Sequence, residues 1–194
     1  MAGSGKAQQR PMRSPCWKRA LTSSMLAASP RDPALRQQLG VRAATAASAI
    51  GKDGMLFCAL ADEASATRHD NPLDLCRCDH CLAQFRSWLE QRHGSIAALN
   101  LAWGTAFADF AAVEPLTTDQ IRRRELGGVL LPGNLRPWSE WLEFVDEGYA
   151  AAVAFVRQQV QRELPGVPVG LTGLQAPAAF GGNDYARLLP SLTL

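Results

Sequence analysis

The chain has 194 residues, 47% of them hydrophobic and 20% charged, with a formal net charge of +2. This is the composition of a globular protein of about one domain, and so small a net charge makes no electrostatic case for nucleic acid or a membrane surface as partner. No apolar run reaches the ~18 residues needed to cross a bilayer, and five cysteines, three of them within residues 76–81, point to metal-binding or buried thiols in a reducing, cytoplasmic setting rather than to a disulfide scaffold.

Residues 1–13 are rich in Gly, Ser, Gln and basic side chains (Lys6, Arg10, Arg13) and read as a poorly ordered arm. No continuous apolar stretch follows the basic residues, so a secretory leader is not expected. Residues 14–194 read as one domain. Asp32 followed by Pro33 is an N-cap with proline at the first helical position, and the Ala-, Leu-, Gln- and Arg-rich stretch to about residue 50 predicts a helix ended by Gly51. Residues 55–60 form a short apolar run between turn signals and predict a buried strand, with Ala61, Asp62 and Glu63 just past its end. A polar loop is expected over 64–75.

Leu82, Phe85, Trp88 and Leu89 mark the apolar stripe of a helix over about 79–92. Gly94 is its stop and Ser95 a fresh N-cap for a short helix carrying Ile96, Leu99 and Trp103, which Gly104 ends. Residues 105–136 contain Pro115, Gly127, Gly128, Pro132 and Gly133 and predict a long loop with one helical turn; loops of that length inside a compact domain are usually functional. The longest helix is predicted over 138–164, and Pro165 and Gly166 break it before a second strand at 167–172. A Gly-rich loop reaching Asp184 and Tyr185 leads into a short closing segment. Alternating β and α elements favour a parallel sheet. Two strands neither close a barrel nor make a satisfactory open sheet, so the chain reads as an arc of a larger fold.

Cys76, Cys78 and Cys81 are soft ligands at a spacing that suits tetrahedral Zn²⁺. A fourth ligand is needed: Cys16 is the first choice, followed by Cys58, His80 and His69, although Cys58 inside an apolar strand is more simply a core thiol. Asp62 and Glu63 at a strand end suit acid–base chemistry, and equally suit two solvated loop acids. Trp88 and Trp141 lie at helical core spacing. Trp103 and Trp138 border loops and are candidate sugar platforms. Asp184 and Tyr185 line a site mouth or cap a helix. His93, next to Gly94, reads as a helix C-terminal residue.

Taken together, Asp62-Glu63, then Cys76-x-Cys78-x-x-Cys81, Phe85-Arg-x-Trp88-Leu89, Gly94-Ser95 and Leu99-Asn100-x-Ala102-Trp103-Gly104-Thr105-x-Phe107 resemble the catalytic barrel of the family-42 glycoside hydrolases, the β-galactosidase type. The resemblance extends over about residues 13–190 and is most specific from Cys76 to Phe107. It implies an α/β fold, here a partial (β/α)₈ barrel and a helix-rich middle arc of it. It implies a retaining mechanism on β-galactosides or related β-glycosides, with Glu63 as the general acid/base. It also implies structural zinc on Cys76, Cys78 and Cys81, with Cys16 in roughly the place of the fourth ligand. Asp62, Trp103, Asp184 and Tyr185 are the substrate-binding candidates, and the full-length enzyme is a candidate homo-oligomer. Asp62 departs from the asparagine usual in the family. No match to the family's nucleophilic glutamate occurs before Leu194, so the chain alone is expected to be inactive. The competing expectation is a non-catalytic, zinc-stabilised module that binds carbohydrate or a partner.

Overall fold

The computed structural model describes residues 31–51, 55–62, 77–116, 120, 134–173 and 184–193. Within them the chain runs helix α1 (Pro33–Ile50), strand β1 (Cys58–Asp62), helices α2 (Asp79–His93) and α3 (Ile96–Trp103), a 3₁₀ turn (Phe110–Ala112), the long helix α4 (Arg136–Glu163), strand β2 (Val169–Thr172), a short helix α5 (Tyr185–Leu188) and a 3₁₀ turn (Leu189–Ser191).

Local chemistry sets most of these limits. The Asp32 carboxylate accepts from the backbone N–H of Ala34 at 2.9 Å and of Leu35 at 3.4 Å, and Pro33 follows it, so α1 begins where two orphan donors are satisfied. Gly94 and Gly104 end α2 and α3 in the left-handed conformation, at φ 72° and 70°, which a side chain would oppose. Ser95 caps α3 through Ala98 N–H. The strands lie slightly downstream of their sequence-based limits. β1 spans Cys58–Asp62 rather than 55–60, and β2 starts at Val169 rather than 167. Leu56 is 90% exposed, so the apolar run overshoots the buried strand at its start. Asp62 is accordingly the last residue of β1 and not part of a following loop. The predicted loop at 64–75, residues 117–119 and 121–133 of the one at 105–136, and the Gly-rich residues 181–183 lie outside the described residues.

β1 and β2 pair in parallel, Cys58 with Val169, Ala59 with Gly170 and Asp62 with Thr172. Three steps along β1 from Ala59 to Asp62 match two along β2, so β1 carries an extra residue just before its end. Thr193 adds an antiparallel bridge to Val169, with a backbone hydrogen bond of 3.0 Å. The connection from β1 to β2 passes through α2, α3 and α4, and α1 packs along α4.

The core lies where α2, α3 and α4 meet. Phe85 is fully buried; its ring meets Trp141 edge-on at 4.8 Å and Phe144 at 5.2 Å, while Trp141 and Phe144 stack at 5.6 Å. Trp88 stands 6.0 Å from Phe144. The buried face of α4 continues through Tyr149, Val153, Val156 and Val160 at helical spacing. Among the described residues no helix is long and apolar enough to cross a membrane.

Truncating Phe85 to Ala empties the centre of this aromatic cluster. The expected cost is about 3–5 kcal/mol, read as a lowered urea midpoint at unchanged m-value.

Candidate functional site

Parallel pairing brings the C-terminal ends of β1 and β2 together, and those ends carry Asp62 and Thr172. The Thr172 hydroxyl lies 3.0 Å from Asp62 Oδ1 and 3.4 Å from the carbonyl oxygen of Ala61. A hydroxyl has one proton, and the shorter contact to a carboxylate takes it. Asp62 is half-buried and held by its neighbour strand. Its carboxylate is an acceptor site at the strand ends, where sheets of this kind present their working groups. Glu63 follows Asp62 in the chain and lies outside the described residues.

Cys78 is the N-cap residue of α2, with extended backbone at φ −68°, ψ 162°, and its side chain makes no capping bond. Cys81, one turn into the helix, is buried, and neither cysteine is in a disulfide. Both thiols lie at the N-terminal end of α2, and the Arg31 guanidinium interacts electrostatically with Cys81. Thiols are the donor type that zinc takes, and these are two of the four expected ligands. Cys16 and Cys76 lie outside the described residues, and among the described residues no group of three potential ligands comes together.

Trp103 corrects an expectation. It was a candidate sugar platform, yet it is 1% exposed: its ring packs against Phe85 at 6.4 Å and Phe107 at 6.3 Å. A ring enclosed on both sides offers no face to a sugar. Its indole N–H donates to Glu140 Oε2 at 2.9 Å. Trp138 is buried as well. Asp184 caps α5 by accepting from Arg187 N–H and pairs with Arg187 Nε at 3.0 Å, which is the helix-cap role and ties its carboxylate away from a ligand. Tyr185, the first residue of α5, is half-buried and packs on the edge of the core.

Glu140 is the residue that sequence reasoning missed. It is 2% exposed, a carboxylate inside the core. Oε2 accepts from Trp103 Nε1 and from His93 Nε2, each at 2.9 Å. Oε1 accepts from Arg136 Nε at 2.8 Å, with Arg92 Nε at 3.6 Å. A carboxylate can only accept, so His93 carries its proton on Nε2. Burial pushes the Glu140 pKa up, but the hydrogen bonds from Arg136, His93 and Trp103 outweigh it and hold the group below the usual carboxylate range. The signal was present in the sequence: position 140 falls on the same helical stripe as Trp141 and Phe144, where a charge needs partners.

The segment after α3 is tied to the same knot. Asn100 Oδ1 accepts from Phe107 N–H and Thr105 Oγ1, each at 2.9 Å, while its amide donates to the Phe107 carbonyl at 2.9 Å. Asn134 donates to the Trp103 carbonyl at 2.8 Å. Asn100, Trp103, Gly104, Thr105 and Phe107 thus form one self-satisfied turn, and the motif they make is architectural.

Solved structures show the same fold. The chain superposes on a cold-adapted β-galactosidase from Rahnella sp. R3 with a TM-score of 0.65 at 18% identity, covering 84% of this chain and 22% of that one. On the β-galactosidase from Bacillus circulans sp. alkalophilus the TM-score is 0.64 at 18% identity, covering 90% and 29%. The class is that of the β-galactosidase α/β fold. The sequence model of glycoside hydrolase family 42, described as Beta-galactosidase, matches residues 63–186, and the chain belongs to that family. The β-galactosidase LacZ of Heyndrickxia coagulans is 28% identical over 126 residues, which is 61% of this chain and 17% of that protein. The chain thus spans less than a third of the length of each of these relatives.

Replacing Glu140 with Gln removes the carboxylate that Arg136 pairs with and the anionic acceptor of His93 and Trp103, while Arg92 keeps Glu143, at an expected cost of about 3 kcal/mol at neutral pH. The native pKa lies below the unfolded value of about 4.3, so the charged-state contribution is complete above that value and is lost as pH falls through the native one. The stability gap between wild type and Glu140→Gln, from urea midpoints, is expected to be flat at neutral pH and to close on acidification below about pH 4.

Proposed function

We propose that these residues form an arc of a (β/α)₈ barrel from a retaining glycosidase acting on β-galactosides or related β-glycosides, and that Glu63 is its general acid/base. The observation that carries this reading is the parallel pairing that puts Asp62 at the C-terminal end of β1, so that the chain delivers Glu63 at the next position. Membership of family 42 supports it. In a retaining mechanism Glu63 protonates the leaving glycosidic oxygen while a second carboxylate about 5 Å away attacks the anomeric carbon; Glu63 then takes a proton from the water that releases the sugar. Asp62, half-buried beside Thr172 at the strand ends, is the candidate acceptor for a sugar hydroxyl. Tyr185 remains a candidate for the site mouth.

Cys76, Cys78, Cys81 and Cys16 would hold a zinc ion that ties down the segment following β1. With four protein ligands such an ion has no open position for a substrate water, so its contribution is structural.

Two outcomes are expected. In protein carrying the complete barrel, Glu63→Gln lowers kcat on an alkyl β-galactoside by about 10²–10⁴-fold. It spares kcat/KM on a dinitrophenyl β-galactoside, whose leaving group needs no proton, but slows release of the sugar from the enzyme, and azide, which needs no general base, restores that turnover by taking the place of the water. Equal losses on both substrates would overturn the acid/base assignment. Metal analysis of the purified chain is expected to find one zinc per chain, lost on Cys78→Ser; zinc retained in that variant would exclude Cys78 as a ligand.

A further inference from the structure

A groove of about 760 Å³ opens between α1 and α4 and takes none of its lining from β1 or β2. Arg31 and Arg36 both face it, with the amides of Gln37, Gln84 and Gln159 and the ring of Phe155. Helix α1 approaches α4 closely here because position 40 is glycine: a Cβ there would stand 2.8 Å from the Phe155 ring.

The charges in this groove do not balance. Arg31 donates from Nη2 to the Phe144 carbonyl at 2.8 Å and stacks over the Phe144 ring at 3.8 Å. Its nearest carboxylate, Glu147, stands 3.9 Å away. Glu147 is already bound by Trp88 Nε1 at 2.9 Å and by Arg187 Nη1 at 3.2 Å. Arg36 adds a second positive charge close enough to act on Arg31, and among the described residues no carboxylate pairs with it. The Nε atoms of both arginines are buried without a hydrogen-bond acceptor, that of Arg31 against Gly148, so it is the Nη ends that serve the groove. Asp32 is engaged in capping α1. Residues 1–30 contain no Asp or Glu, so the preceding segment adds only positive charge.

We infer that this groove is a binding site for a phosphate or sulfate ester carried on a sugar-sized body, its oxyanion held by Arg31 and Arg36. Two guanidinium groups lining one groove suit the oxygens of a tetrahedral oxyanion. The groove is far larger than a bare ion and falls in the range of small-molecule sites. Gln84 Nε2 donates to the Arg31 carbonyl at 3.1 Å and Gln159 Oε1 accepts from Arg162 Nη1 at 3.0 Å, so the Gln37 amide and the Gln159 Nε2 are the groups that suit sugar hydroxyls, and Phe155 supplies an apolar wall. The inference is independent of Glu63 and of hydrolysis.

Calorimetric titration of the 194-residue chain with inorganic phosphate and with a hexose 6-phosphate, at constant ionic strength, tests it. Saturable binding is expected, tighter for the sugar phosphate, at least tenfold weaker in Arg36→Gln and intermediate in Arg36→Lys, which keeps the charge but loses the fork. Gln159→Ala is expected to weaken only the sugar phosphate. Far-UV circular dichroism of each variant checks that the fold survives. Binding of the sugar phosphate without inorganic phosphate still supports the site and assigns its source to an organic ester. Unchanged affinity in Arg36→Gln, or no saturable binding of either probe to the wild type, overturns it. So does retention of a glutamate-rich peptide that phosphate does not displace, which would make the groove a protein contact.

Discussion

The structure depends on one buried carboxylate. Glu140 lies inside α4, and its two oxygens accept from Trp103 of α3, His93 at the end of α2, and Arg136 one turn earlier. Taking a carboxylate out of water costs several kcal/mol even after relaxation, and only a full set of charge-assisted hydrogen bonds offsets that cost. The set is complete only when the C-terminus of α2, the last residue of α3 and the first turns of α4 occupy one arrangement. Packing alone tolerates small slides of one helix over another; a satisfied buried charge does not.

The same helix extends the constraint outward. Glu143 and Glu147 follow Glu140 at helical spacing. Glu143 binds Arg92 at 2.9 Å and Arg187 at 2.9 Å; Glu147 binds Arg187 at 3.2 Å and the Trp88 indole at 2.9 Å. These pairs are more exposed and individually worth little. Their role is directional, since one row of carboxylates along α4 faces basic or N–H donors from α2 and α5. Helix α4 is therefore the element against which the others are placed, and β2 begins a few residues after it ends.

That placement also decides where the strand ends lie. With β1 and β2 parallel, Asp62 and Thr172 meet through a side-chain hydrogen bond although they lie 110 residues apart in the chain. The motif around Trp103, which carries much of the likeness to family 42, turns out to be scaffold: its side chains satisfy one another and Glu140. The family's signature residues thus divide into a short stretch at the end of β1 suited to chemistry and a longer stretch that keeps the helices in register.

Much of the fold was legible from local chemistry. Asp32 and Pro33, Gly94 with Ser95, and Gly104 mark helix ends because capping and left-handed φ are decided within a few residues. The stripes of α2 and α4, the order of elements and the parallel sheet were also readable, and so was the family resemblance. The strand limits shifted by two or three residues because an apolar run does not say which of its residues find a partner strand. What the tertiary structure decided is every contact between distant positions: Trp103 as a core donor instead of a sugar platform, Asp184 tied to Arg187, His93 turned inward, and Glu140 charged in the interior. Local sequence sets backbone conformation through neighbours three or four residues away. Whether a side chain meets solvent, a ligand or a buried carboxylate depends on what packs against it from 37 or 110 residues away, and that is a property of the assembled fold.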